Sequence, residues 1–229
     1  MKDFIYSDEV NGPTYVDLGL SVKWATKNIG AASFSDIGNM YMWGELTSFD
    51  YDKYFSCLES QEYINLQTRL IQSNFKDAHP SDLERIQELL GCRTYGIHIK
   101  NISANPDYDI ACASYGATWH IPTNREWQEL IEMCTWTECL QDDFRGAKIT
   151  SKINGNSIFL PYFKRGQGLS AAYWSSNSLY KAKQRFYNDW RFHSAYALYF
   201  DSYIANTEAL HPFFIVHIKD KDLPIRPVL

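Results

Sequence analysis

Six histidines, His79, His98, His120, His193, His211 and His217, and five cysteines, Cys57, Cys92, Cys112, Cys134 and Cys139, are the side chains of this sequence best suited to act as base, nucleophile or metal ligand. A hydrolase needs a nucleophile, a base and an acid that orients the base. The histidines are scattered, with no Gly-x-Ser-x-Gly elbow to expose a serine and no His-Glu-x-x-His helix to set two imidazoles on one face. Cys134 and Cys139 lie near each other but have no second pair or histidine at ligand spacing, so no metal site is expected. Five thiols are an odd number in a chain too large to need a disulfide framework, and they are expected to be reduced and buried. Asp142 with Asp143, and Asp220 with Asp222, would make a glycosidase pair only if the fold held the carboxylates across a cleft. They are read as solvated turn acids.

The other chemistry on offer is non-covalent. Phe186 to Ser194 interleaves large aromatics with Asn188, Asp189 and Arg191, between two strand-like segments. Rings such as Tyr187 and Trp190 stack on sugars or fill partner pockets, while amides, carboxylates, a guanidinium and His193 set orientation. Tyr203, Asn206, Glu208 and His211, in the following connection, extend the same candidate ligand-binding surface. The alternative is that Trp190 and Phe192 cover the core from a long loop.

Bulk properties narrow the class. A hydrophobic content of 45% and an aromatic share of 16% over 229 residues describe a globular chain able to bury a large core, read as a single domain. The net charge of −5 offers no basic footprint for nucleic acid. No run of eighteen apolar residues is present, so no membrane span is expected. Met1 to Leu20 carries acids and no apolar leader core, which leaves two readings: a product made without a leader, or a chain whose leader has been removed.

The elements that must position these groups are written unevenly. Trp119 to Cys134 has the strongest local grammar: Pro122 ends an extended segment, Thr123 with Glu126 forms a capping box, and Trp127, Leu130, Ile131 and Cys134 repeat at helical spacing. A main helix is predicted there. A charged, helix-leaning stretch at about 46–105 reads as an insertion. Within it, Ser81 and Glu84 suggest a second capping box ahead of Leu83, Ile86, Leu89 and Leu90, closed by Gly91, and Tyr63, Leu66, Leu70 and Ile71 suggest a third helix. Strands are predicted over Leu20 to Trp24, Asn39 to Glu45, Ala172 to Ser176, Ala195 to Phe200 with one apolar face, Phe213 to Lys219 and Ile225 to Leu229. Asn154-Gly155 predicts a two-residue type I′ hairpin between Lys148 to Ile153 and Asn156 to Leu160. The apolar run Pro212 to Ile218 suits either a buried strand or a homo-oligomer contact.

Several of these segments, in their order, resemble the Fibrobacter-type major paralogous domain (FISUMP) family. They are Val16-Asp-Leu-Gly-Leu-Ser-Val-Lys-Trp-Ala-Thr26, Trp43-Gly-Glu45, Asp109-Ile-Ala111, Gly116-Ala-Thr-Trp-His-Ile-Pro-Thr123 with Glu126 and Trp127, Cys134-Thr-Trp136, Thr150 to Pro161, Tyr173-Trp-Ser-Ser176, Ala195 to Phe200 and Ile225-Arg-Pro-Val228. They cover most of the chain outside 46–105, which is long for the family. The resemblance implies an α+β fold of C-type-lectin-like type, formylglycine-generating-enzyme subtype, with small mixed or antiparallel sheets, two main helices and the helical insertion. It implies a cell-surface or secreted recognition or adhesion module whose C-terminal loops meet a protein or glycan ligand. Trp24, Trp43, Trp119 and Trp174 match framework positions and are expected in the core. The family carries a basic residue at the position of His120, so that side chain is expected to make a structural hydrogen bond. Two related activities are not expected: the copper-dependent oxidase needs thiols in the C-terminal half, and no cysteine follows Cys139. Calcium-dependent sugar binding needs Glu-Pro-Asn or Gln-Pro-Asp ahead of Trp-Asn-Asp, and Asn188-Asp-Trp190 is the wrong order. The expectation is a non-catalytic module without cofactor or calcium; a structural subunit of a surface appendage or phage tail, or a degenerate enzyme, are the rivals.

Overall fold

A computed structural model describes residues 12–73, 79–95, 99–165, 168–179, 194–201 and 209–229, without the side chains of 164, 165 and 168. The chain begins with β1 (Tyr15–Val16) paired to β2 (Trp24–Ala25), followed by β3 (Met40–Tyr41). The predicted strand over Leu20 to Trp24 shrinks to its last residue, and that over Asn39 to Glu45 to two residues. Gly19, just ahead of the first, and Gly44, near the end of the second, turn the backbone with positive φ, 72° and 82°, and so bound how far extended backbone can run there.

The insertion is helical, as its composition suggested, and has its own small core. α1 (Tyr51–Glu59) is capped by Asp50 and ends on Ser60, whose hydroxyl then caps α2 (Gln61–Gln72). α3 (Pro80–Leu90) ends on Gly91 in the left-handed region, as predicted. Its start differs from the Ser81–Glu84 box: Pro80 occupies the first helical position, where its missing N–H is no loss, and the His79 ring accepts from Ser81 N. Cys57, Tyr63, Leu66, Leu70, Ile86 and Leu90 pack together, whereas Ile71 stays half exposed. Arg69–Asp82 and Arg85–Glu62 bridge α2 and α3 on the surface, where solvent and salt screen them.

α4 (Ile110–Tyr115), not anticipated from the sequence, is a single capped turn or two. α5 (Asn124–Met133) is the predicted main helix. Thr123 Oγ1 accepts from Glu126 N, and Glu126 accepts in return from Thr123 N at 2.7 Å. Trp127 and Leu130 are fully buried, Ile131 partly. Cys134 is buried but belongs to the next strand, with extended backbone. Thr123→Ala is expected to cost about 1 kcal/mol in urea unfolding, as for other lost caps; an unchanged midpoint would mean that the box contributes nothing.

The rest is antiparallel sheet. β4 (Cys134–Gln141), β5 (Phe144–Ser151) and β6 (Ser157–Pro161) form a meander. β7 (Phe163–Arg165), β8 (Gly168–Ser178), β9 (Ser194–Asp201) and β10 (Phe213–Ile218) form a four-stranded sheet in the order β10-β9-β8-β7. β11 (Leu223–Pro224) pairs with β3, and the predicted last strand reduces to bridges from Val228 to Trp24 and His120. The two-residue turn with both φ positive sits at Asp142 and Asp143, 45° and 66°, between the paired Gln141 and Phe144. At the predicted site only Gly155 is positive, and the loop spans 152–155, closed by Ser151 N to Asn156 O. The cause is tertiary: Asn154 and Asn156 side chains both donate to Asp17 O, and Ser151 Oγ donates to Leu18 O, which pins the loop to the β1–β2 connection.

Two apolar clusters meet through the four-stranded sheet. Tyr173, Leu198 and Phe200 face Trp24, Trp127, Leu130, Ile149 and Ile158. On the other side Ala172, Trp174, Ala195 and Ala197 face Trp43, Ile102, Trp119 and Ile121. β9 therefore buries both faces, where its sequence suggested one, because small alanines on the second face admit the tryptophans closely. The molecule is α+β with small antiparallel sheets, and its described helices are too short and polar to cross a membrane.

Candidate functional site

Residues 180–193 hold most of the candidate ligand-binding set, and Tyr187, Asn188, Asp189, Trp190, Arg191 and His193 lie outside the described residues. Their base is described closely. Between Trp174↔Ala197 and Ser178↔Ala195, β8 places three residues against one of β9, a bulge beside which three successive carbonyls bond outside the ladder. Trp174 O accepts from the Trp127 indole at 3.3 Å, Ser175 O from the Trp43 indole at 2.8 Å, and Ser176 O from Ile102 N at 3.0 Å. Asn177 Oδ1 takes the Asn124 N–H in the first turn of α5. Ser178 N bonds to Lys100 O, and Leu179 N to Ser194 O. The segment thus leaves and re-enters a platform bonded to α5, to residues 99–103 and to the insertion-side Trp43.

The second connection, 202–208, starts from the opposite end of β9. Tyr203, Asn206 and Glu208 also lie outside the described residues. Ala209 bridges Thr137, Leu210 N donates to Trp136 O, and His211 is exposed beside that base. Ser194 and Asp201 are separated by seven strand steps, roughly 24 Å. The two connections do not share a base, and His211 stands at the far end of the sheet from Ser178 and Ser194.

His120, Glu126, Glu45, Asp109 and Asp220 are occupied by structural bonds. His120 Nε2 and Glu126 Oε1 are 2.9 Å apart, and Glu126 Oε2 holds Thr123. Burial alone would lower the imidazole pKa, but the hydrogen bond and charge of Glu126 outweigh it and raise it above the usual 6.5. Burial likewise works to raise Glu126, and the bonds from His120 and Thr123 bring it below the usual 4.5. A raised base contributes stability below its unfolded pKa and loses it as pH rises through the folded value. A lowered acid contributes above its unfolded pKa and loses it as pH falls. The pair's contribution is therefore greatest between about pH 4.5 and 6.5 and fades on both sides. Subtracting the stability profile of His120→Gln from that of the wild type is expected to give this bell; a flat difference would rule the linkage out.

Glu45, 6% exposed, accepts from Arg93 Nε at 3.0 Å and from the Arg93 backbone N–H. Burial raises its pKa against the pull of that arginine. Asp109 is fully buried and accepts four backbone N–H groups, from Ala104, Ala111, Cys112 and Ile121. Asp220 is not the solvated turn acid expected from sequence, whereas Asp222 stays partly exposed. Asp220 is 7% exposed, with its pKa raised by burial, and accepts from Tyr54 at 3.0 Å; Asp222 accepts from Tyr51. α1 brings both phenols to that turn, which no local pattern announces. Asp142 and Asp143 are exposed, as expected. Lys219 is 1% exposed with Nζ 4.5 Å over the Trp43 ring, and burial lowers its pKa to about 8.

Cys57, Cys92, Cys112 and Cys134 are buried free thiols and Cys139 is half-buried; burial raises the pKa of each. His79, His120, His211 and His217 sit on separate elements, and His98 and His193 lie outside the described residues. Among the described residues no three histidine, cysteine or acidic side chains converge as a metal site would require. A surface cleft of about 800 Å³ beside the insertion is lined by Glu45, Thr47, Lys53, Gln87 and Arg93, and one of about 720 Å³ beside α5 by Val22, Arg125, Glu126, Glu129 and Met133. In each, some of the acids are already bound: Glu45 to Arg93 in the first, and Glu126 to His120 and Glu129 to the Ser21 backbone and hydroxyl in the second.

Comparison of the chain with family models, with curated proteins and with solved structures finds no match. The resemblance to the FISUMP family rests on the quoted segments alone.

Proposed function

We propose that this chain is a non-catalytic recognition module of C-type-lectin-like fold, binding a protein or glycan ligand without calcium through residues 186–194. The observation that carries the reading is the platform at Trp174 to Leu179. A sheet end, bonded on three sides, holds both ends of a connection of fourteen residues, 180–193. Binding residues concentrate on loops held by such scaffolds. The composition of 186–194, aromatics with Asn188, Asp189 and Arg191, suits contact with a ligand. The resemblance adds the fold subtype and a cell-surface or secreted setting. It is supported by the burial of Trp24, Trp43, Trp119 and Trp174, each at a position quoted for the family. Tyr203, Asn206 and His211, based at the other end of the sheet, form a second contact region in this reading.

Replacing Tyr187, Trp190 and Arg191 together by alanine is expected to leave Tm nearly unchanged and to abolish binding to whichever glycan or surface protein an array identifies, with or without EDTA. A large drop in Tm would assign these side chains to core cover. Loss of binding on adding EDTA would replace the reading with a calcium-dependent one. A structural subunit of a surface appendage or tail is the second reading, favoured by the half-exposed apolar strand β10.

A further inference from the structure

The loop over 152–155 brings a reactive pair to the surface. Asn154 is exposed, and Gly155, with a φ of 77°, has no side chain to shield its own nitrogen. An asparagine followed by glycine holds both partners of an intramolecular reaction. The Gly155 nitrogen attacks Cγ of Asn154, the N–Cγ bond forms, the Cγ–Nδ2 bond breaks, and the Gly155 N–H proton leaves with the amide as ammonia. Water then opens the resulting succinimide at one carbonyl or the other, which yields aspartate or isoaspartate. Water is the only co-reactant.

Each reacting atom is held. Gly155 N donates to Ser151 O at 3.1 Å, so the attacking nitrogen is engaged within its own loop. Asn154 Nδ2, the leaving amide, donates to Asp17 O at 3.0 Å, and Oδ1 accepts from Asn156 N at 3.0 Å. Asp17 O also accepts from Asn156 Nδ2 at 2.8 Å, and the Asp17 carboxylate accepts from Gly19 N at 2.7 Å, which fixes the turn that carries this acceptor. Ser151 Oγ completes the clamp by donating to Leu18 O and accepting from Ile153 N.

We propose that Asn154 is a self-modifying site: it deamidates from the opened form of the 152–155 loop, and its product cannot close the clamp again. Aspartate at 154 sets a charged oxygen against Asp17 O where the amide had set a donor. Isoaspartate adds a methylene to the main chain between Ser151 O and Gly155 N and puts their bond out of register. The reaction is a one-way release of this loop from the β1–β2 connection, timed by how often the loop opens. It is independent of the ligand reading, since neither Tyr187, Trp190 nor Arg191 belongs to the loop.

Peptide mapping by mass spectrometry, during incubation of the full chain at mildly alkaline pH, reads the conversion and separates it from Asn11-Gly12, the other Asn-Gly pair. Asn154 is expected to convert in the folded chain about tenfold or more slowly than in urea, because three hydrogen bonds must be released first. Asn156→Ala leaves the reacting atoms in place, removes one tie to Asp17 O, and is expected to raise the folded-state rate about threefold or more. Near-UV circular dichroism shows whether that variant is folded; if it is not, the wild-type comparison and Asn154→Asp decide. Asn154→Asp reproduces the product, and its backbone amides at 153–156 are expected to exchange hydrogen faster than in the wild type. Equal rates in folded and unfolded chains overturn the gating, as does a folded Asn156→Ala no faster than the wild type. A folded wild type in which Asn154 stays intact while it converts in urea overturns the site. Loop amides of Asn154→Asp that exchange as in the wild type overturn the release.

Discussion

Asp109→Ala is expected to lower the unfolding free energy by about 4 kcal/mol or more. The carboxylate is fully buried and receives Ala111 N and Cys112 N on Oδ1, and Ala104 N and Ile121 N on Oδ2. It caps α4, holds the 102–105 turn, where Ala104 has a positive φ of 58°, and ties both to the segment entering Pro122 and α5. Truncation leaves four donors without a partner. Each buried orphan costs about 1–3 kcal/mol, reduced where water can enter the space. Burial raises the carboxyl pKa and the four N–H bonds lower it, with burial prevailing. Asp109→Asn separates the effects: its oxygen serves one pair of donors, its amide opposes the other, so roughly half of the alanine loss is expected. Urea unfolding measures both. An asparagine variant as stable as the wild type would mean that the charge is not needed to hold these donors.

Arg226→Leu is expected to cost about 3 kcal/mol, and Arg226→Lys nearly as much. The guanidinium is fully buried without a carboxylate. Its Nε, NH1 and NH2 donate at 2.8 Å to Asn28 Oδ1, Ala25 O and Phe159 O, three acceptors from separate parts of the chain. Burial lowers its pKa to about 10, so it remains cationic at neutral pH. Leucine fills part of the volume and leaves three acceptors unmet. Lysine keeps the charge but replaces a planar fork by a point donor, which cannot reach three diverging oxygens. If Arg226→Lys proved as stable as the wild type, the planar geometry would be irrelevant, and only the charge would matter.

These two residues also mark where reading the sequence runs out. Both lie in segments quoted for the family resemblance, yet nothing adjacent to Asp109 or Arg226 announces a buried charge. Two of the four Asp109 donors are local, Ala111 and Cys112, in a helix the sequence did not announce; Ala104 and Ile121 come from other segments. The partners of Arg226 are separated from it by 67 to 201 residues. The candidate site divides in the same manner. Its composition is evident from residues 186–211, while the bulge at Trp174 to Ser178, the separate base of residues 202–208 and the exposure of His211 belong to the sheet.

What the sequence determined by itself is what acts over a few residues. The Thr123–Glu126 box, the Trp127, Leu130 and Ile131 stripe, the stop at Gly91 and the helical character of the insertion all depend on contacts within about one or two turns. The tertiary structure decided the rest. It opened the predicted two-residue turn at Asn154-Gly155 into a loop over 152–155, because the Asn154, Asn156 and Ser151 side chains donate to Asp17 O and Leu18 O and hold it on the β1–β2 connection. It made β9 a strand buried on both faces and left β10 partly exposed, although both read as apolar strands, because burial depends on which elements lie on either side. It drew Asp220 under α1 and Lys219 over Trp43, since an ionisable group enters the interior only where distant partners and rings are assembled around it.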